Sequence, residues 1–261
     1  KEIYNIELSA GKYDKNYLDS LKLLKRNNKV SLAVHNYFPT PRKRFVFNLA
    51  SLNDKIFKLS FEHAKKAIRL AKKLGGKYYS FHAGFLIDPK INTLGKKLYS
   101  SKVYPRKLCI KKFIQRVNLL SNYAAKQNIE ILIENNVINK RNIKNFNLNP
   151  LLMTNASEAI HFMKKTKKNV NLLIDVGHLK VSSRTEKFDK IGYLKKVNKW
   201  IKGYHLSDNN GLEDQNNKIK INSWFWKYLN KNVDYISLEI KNKNLSLLKG
   251  QLTLTKKILN D

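Results

Sequence analysis

Three observations predict an α/β fold of the (β/α)8 TIM-barrel class. Short apolar runs of β type alternate with amphipathic helical stretches along the 261 residues. The runs recur at roughly 30–50 residues, the spacing of β–α units that build a parallel sheet. Residue types able to do chemistry fall at the C-terminal ends of these runs, where barrels of this class carry their sites.

In chain order the strand candidates are 3–8 (IYNIEL), 31–36 (SLAVHN), 77–82 (KYYSFH), 129–134 (IEILIE), 170–175 (VNLLID), 203–207 (GYHLS) and 234–240 (DYISLEI). These are seven, so the first strand of an eight-unit barrel is either absent or upstream of residue 1. A helix is predicted over 55–74, where Ile56, Leu59, His63, Ala67 and Leu70 recur at three-to-four spacing and Gly75-Gly76 closes the pattern. Others are predicted over 111–126, from Asn155 with Glu158 completing a capping box, and in the run toward Trp200 closed by Gly203. A doubly wound open sheet would carry a Gly-rich phosphate loop after an early strand, and neither a GxGxxG nor a Walker pattern occurs. The expectation is a single domain over 1–261, with long loops at about 85–108 and 137–150. Structureless loops of that length usually carry function, as lids do.

Composition bounds the function. A hydrophobic content of 42% with 3 Trp, 13 Tyr and 12 Phe describes a packed globule. No apolar run is long enough to cross a bilayer, and the opening KEIYNIELS has neither region of a signal peptide. It also lacks an initiator Met, which leaves room for residues upstream. The single Cys109 fits a reducing cytoplasm.

The net charge of +33 raises the question of nucleic acid. Lys outnumbers Arg 44 to 8, however, and Lys is scattered over every helical segment without a pure basic block. Phosphate and base readout favours the bidentate fork of Arg. The charge is therefore read as compositional, and nucleic acid is not the expected partner.

Each strand candidate after the first carries a polar residue at its C-terminal end. His35, His82, Glu134, Asp175, His205 with Asp208 behind it, and Glu239 close successive runs. In a barrel these ends converge on one face. Carboxylates gathered in such a low-dielectric place repel one another unless a divalent cation supplies the opposite charge. Asp175 is thus expected to be a metal ligand. Carboxylate mixed with imidazole suits one Mn, Mg, Co, Fe or Zn ion, and the absence of Cys at these positions argues against a soft-metal site. His63 and His161 lie within helical patterns and are read as packing or surface residues.

The segments HNYFP (35–39), FNLAS (47–51), FHAG (81–84), LIENN (132–136), IDVGH (174–178), YHLSDNNG (204–211) and SLEI (237–240) resemble the xylose isomerase-like TIM-barrel family of sugar and sugar-phosphate isomerases and epimerases. The resemblance covers nearly the whole chain. It implies a single divalent metal held by Glu134, Asp175, His205 and Glu239, with Glu134 and Glu239 as the catalytic acid–base pair and His178 on the substrate's oxygens. Further substrate contacts are expected from His82, His35, Asp208, Trp224 and Lys180. The expected substrate is a small carbohydrate; phosphorylated and nucleotide-linked forms stay open, as does a homo-oligomer. Arg106 and Arg184 also lie near loops that could reach a phosphate.

The same superfamily includes apurinic-site nucleases of the endonuclease IV type, which hold three zinc ions. Their site resembles this chain at His82, Glu134, Asp175, His178, His205, Asp214 and Glu239. Two imidazoles are missing, with Ser51 and Asn216 standing where they belong, and neither is a good zinc ligand. A lyase or dehydratase acting on a polyol or keto acid would begin with the same metal and the same Glu pair. A barrel retained only for binding is disfavoured by the complete set of four ligands.

Overall fold

The computed structural model describes residues 3–28 and 30–260. Its elements are β1 (Asn5–Leu8), α1 (Tyr17–Asn28), β2 (Ser31–His35), α2 (Asp54–Lys73), β3 (Tyr78–His82), α3 (Arg106–Ala125) and β4 (Glu130–Glu134), followed by α4 (Lys140–Phe146) and α5 (Ala156–Met163). Then come β5 (Val170–Asp175), α6 (Val176–Glu186), α7 (Lys190–Val197), β6 (Ile201–Leu206), β7 (Tyr235–Leu238) and α8 (Leu245–Asn260). The strands take their places in one sheet in chain order, β1 to β7. This is the TIM-barrel class of fold, with seven strands among the described residues.

Contacts group the chain into two compact units. One comprises Ile3–Ile133 and Lys165–Asn171. Within it β1 pairs parallel with β2, and β2 with β3. The apolar stripe of α2, Ala64, Ala67, Ile68 and Ala71, is buried where α2 packs on β2, β3 and α3. Asn53 caps α2 by accepting the Lys55 and Ile56 N–H groups, and the helix ends where expected, with Leu74 as its cap and Gly75 at φ 71°.

The other unit holds Glu134–Lys164 and Leu172–Asp261. Here β5 pairs parallel with β6, and β6 with β7. Every residue of β5 is buried, as its unbroken apolar run predicts for a strand covered on both faces. Asn155 caps α5 by accepting the Glu158 N–H at 3.1 Å, while the Glu158 carboxylate accepts the Met153 N–H at 2.5 Å.

Several boundaries differ from expectation. The loop at 85–108 contains a 3₁₀ turn (Ile91–Thr93) and the first turn of α3, and 137–150 contains α4, so neither is structureless. The helix before Trp200 stops at Val197, and Gly203 lies inside β6 instead of capping it. A Cβ at residue 203 would meet the Tyr235 ring at 2.7 Å and its carbonyl at 2.8 Å, so close approach of β7 fixes this glycine. Among the described residues no helix is long and apolar enough to cross a membrane.

Candidate metal centre

The strand β5 passes into α6 with no connecting residue, and Asp175 stands at the junction as the helix N-cap. Its Oδ1 accepts the His178 N–H at 2.6 Å, satisfying one of the free donors at the start of α6. The neighbouring Asn135 fixes the Asp175 backbone from both sides, accepting its N–H at 2.8 Å and donating to its carbonyl at 3.1 Å. Gly177 permits the next turn. A Cβ there would meet the Ser207 hydroxyl at 2.6 Å, because the start of α6 lies directly against the segment leaving β6.

Within the same unit, register places His205 beside Asp175 on adjacent strands. Glu239 follows β7, and its N–H donates to the Leu206 carbonyl. Glu134, Asp175, His205 and Glu239 each offer a ligand atom, and these atoms all lie within 4.8 Å of one another. His205 Nδ1 is 3.0 Å from Glu239 Oε2 and 3.4 Å from Glu134 Oε1.

Electrostatics test whether a cation fits. Burial pushes the Asp175 carboxyl up to about 8, and the nearby Glu239, Glu134 and Asp214 carboxylates push the same way, against the pull of His178. Its Oδ2 is buried with no hydrogen-bond partner among the described residues. A carboxylate so placed is costly without opposite charge, and a divalent cation is the ordinary supplier. The four residues therefore fit such an ion, with carboxylate and imidazole donors typical of Mn, Mg, Co, Fe or Zn.

His178 lies beside this cluster. Its Nδ1 is 2.9 Å from the Asn135 carbonyl and 3.4 Å from Glu134 Oε1, and its Nε2 is 3.3 Å from Asp214 Oδ2. Burial opposes its protonation, but Asp175, Asp214 and Glu134 together hold the imidazole well above its ordinary range. Asn216, two residues beyond Asp214, turns its Nδ2 toward Glu239 Oε1 at 3.4 Å.

Lys180 and Asp208, two of the expected substrate contacts, pair with each other. The Lys180 ammonium donates to Asp208 Oδ1 at 2.6 Å and to the Asn209 carbonyl at 2.5 Å, and Asp208 Oδ2 accepts from Ser223. Arg184 donates to the Asn210 carbonyl. Trp224 is half-buried, with the Lys190 ammonium 5.0 Å from its ring centroid. Its neighbours serve packing: Phe225 is fully buried, and Trp226 Nε1 donates to the Lys220 carbonyl.

His35 and His82 belong to the first unit, where the structure brings them together at the ends of β2 and β3 with ring centroids 5.5 Å apart. His35 Nδ1 lies 2.9 Å from Ser80 Oγ and 3.4 Å from Glu7 Oε1. Ser51 donates its hydroxyl to Asp88 Oδ2 at 2.7 Å. His63 is a packing residue, as expected, ringed by Tyr37, Phe45 and Phe47, and His161 is exposed.

Sequence reasoning missed Glu7 and Asn135. Each left a signal: a lone carboxylate inside an apolar strand, and the first Asn of LIENN.

A family model for the xylose isomerase-like TIM barrel matches residues 5–257. The chain belongs to this family. Among solved structures, this xylose isomerase-like barrel is similar to a D-tagatose 3-epimerase-like protein at 20% identity, covering 100% of this chain and 90% of that one with a TM-score of 0.74. It is also similar to the D-psicose 3-epimerase of Clostridium cellulolyticum H10, solved with D-tagatose (14% identity, 98% and 89% covered, TM-score 0.66). A third is a Thermus thermophilus protein, TTHB071, soaked with ZnCl2 (16% identity, 97% and 88% covered, TM-score 0.64). At these identities the likeness shows the fold. None of the curated protein sequences compared with the chain matches it.

Proposed function

We propose that the chain is a divalent-metal-dependent sugar or sugar-phosphate isomerase or epimerase that moves a proton at the carbon next to a carbonyl. The observation that carries this reading is the convergence of Glu134, Asp175, His205 and Glu239 to within 4.8 Å. The structural neighbours D-psicose 3-epimerase and L-ribulose 3-epimerase support a sugar of similar size as substrate.

Glu134, Asp175, His205 and Glu239 would hold a divalent ion, which would supply positive charge to polarise a substrate carbonyl. Glu134 and Glu239 form the acid–base pair, one removing the proton and the other returning it. Glu134 is fully buried and the Glu239 side chain is 39% exposed, so solvent reaches one carboxylate and is kept from the other. His178, oriented by Asn135 through Nδ1, shares its Nε2–H between Asp214 and a substrate oxygen.

A second reading, a zinc phosphodiesterase of the apurinic-site type, is favoured by the His178–Asp214 pair. Asn216 speaks against it, since that loop offers a carboxamide where an imidazole would complete a further zinc site.

The test is incubation with ketoses in deuterium oxide, following label at the carbon next to the carbonyl and identifying the product. Exchange and epimer formation are expected, with Glu239→Gln lowering both by at least about 10²-fold. Full exchange by Glu239→Gln overturns the assignment, and loss of water from the sugar means a dehydratase.

A further inference from the structure

The segment 207–217 carries two residues into the metal centre, Asp214 against His178 and Asn216 against Glu239, yet it has little secondary structure of its own. An antiparallel pair of backbone hydrogen bonds between Asp208 and Asn217 closes it as a loop. The chain fixes the loop's root from outside. Lys180 stands on α6, two residues past His178, and its ammonium gathers Asp208 Oδ1 and the Asn209 carbonyl at 2.6 and 2.5 Å. Asp208 passes the contact on, accepting the Asn209 N–H at 2.8 Å through Oδ1 and the Ser223 hydroxyl at 3.0 Å through Oδ2. Asn209 is buried and donates to the Gly177 carbonyl, inside the turn that follows Asp175.

From these contacts we infer that Lys180 is a positioning residue, an anchor that sets loop 207–217 on α6 and so places Asp214 and Asn216 on His178 and Glu239. It is not a substrate or phosphate ligand. Two of its three donors are taken at short distance, and its side chain is 28% exposed against 17% for its partner Asp208. One element, α6, thus carries Asp175 as its cap, His178 in its first turn and the anchor for the opposing loop. The inference deepens the proposed metal-site reading and rests on it.

The test uses cobalt(II), whose visible absorption reports occupancy without any substrate. Wild type, Lys180→Met and Lys180→Arg are titrated, with thermal melting as the folding control and kcat and KM measured on whichever ketose wild type converts. Lys180→Met is expected to weaken cobalt binding by roughly 10–100-fold, as loss of a supporting partner does. It should lower kcat more than it raises KM, and Lys180→Arg should restore cobalt binding to near wild type. Unchanged cobalt affinity in Lys180→Met overturns the inference, as does a rise confined to KM, which marks a direct substrate contact. If Lys180→Met fails to melt cooperatively, Asp208→Asn is the second variant and must show the same cobalt loss. A wild type that binds no cobalt brings down the metal reading, and this inference with it.

Discussion

The Asp175 carboxylate divides its two oxygens: Oδ1 caps α6 by accepting the His178 N–H at 2.6 Å, and Oδ2 is buried without a hydrogen-bond partner among the described residues. In the proposed reading one side chain both starts a helix and holds a cation. Asn performs the first task about as well as Asp. Asp175→Asn should therefore fold normally while losing metal affinity beyond the roughly 10–100-fold typical of a supporting residue. Asp175→Ala should lose the affinity and about 1 kcal/mol of stability as well. Metal titration beside denaturant unfolding separates the two effects, and an Asn variant with unchanged affinity would remove Asp175 from the ligand set.

His63 predicts an acid limit to stability. Burial, aided by Lys66, pushes its imidazole down to about 4, against the hydrogen bond to the Asn36 carbonyl. The unfolded chain protonates this group near pH 6.5, while the folded chain keeps it neutral until about 4. The unfolded state therefore binds more protons in that window, and stability falls as pH drops through it. The cost reaches about 3 kcal/mol at pH 4. His63→Phe keeps an aromatic ring among Tyr37, Phe45 and Phe47 and should flatten that part of the profile. Urea unfolding of both proteins from pH 7 to 4 measures the difference; parallel profiles would contradict it.

Asn48 ties two loops of the first unit. Its Nδ2 donates to the carbonyls of Phe85 and Ile87 and to Asp88, and its Oδ1 accepts the N–H groups of Ala50 and Phe85. Asn48→Ala strips these groups of their partner in a buried place, at about 3 kcal/mol or more. Chemical denaturation reads this directly, and a loss below about 1 kcal/mol would mean that the loops relax to new partners.

The sequence was most legible where one physical demand dominated. The all-apolar LLI of β5 ending on Asp175 allowed little but a buried strand with a polar terminus, and its bounds came out as expected. The α2 stripe and its glycine stop were equally plain. Legibility failed where tertiary contact overrode local pattern. Gly203 reads as a helix stop, yet the closeness of Tyr235 is its reason. The polar α4 gives no apolar stripe to detect, and α6 begins with VG inside what reads as a motif, hiding a helix behind a site. At the centre, the four residues that the family resemblance names, Glu134, Asp175, His205 and Glu239, do offer atoms within 4.8 Å of one another. The roles of Asn135 and Lys180 depend on partners 40 and 28 residues away, which no local pattern reports.

The most direct test of the central claim is metal content per chain, by mass spectrometry of protein purified without chelator or nickel affinity. About one Mn, Mg, Co, Fe or Zn ion per chain, lost in Glu134→Ala, is the result a single-metal isomerase site predicts. About three zinc ions per chain would contradict it and move abasic DNA to the front as substrate.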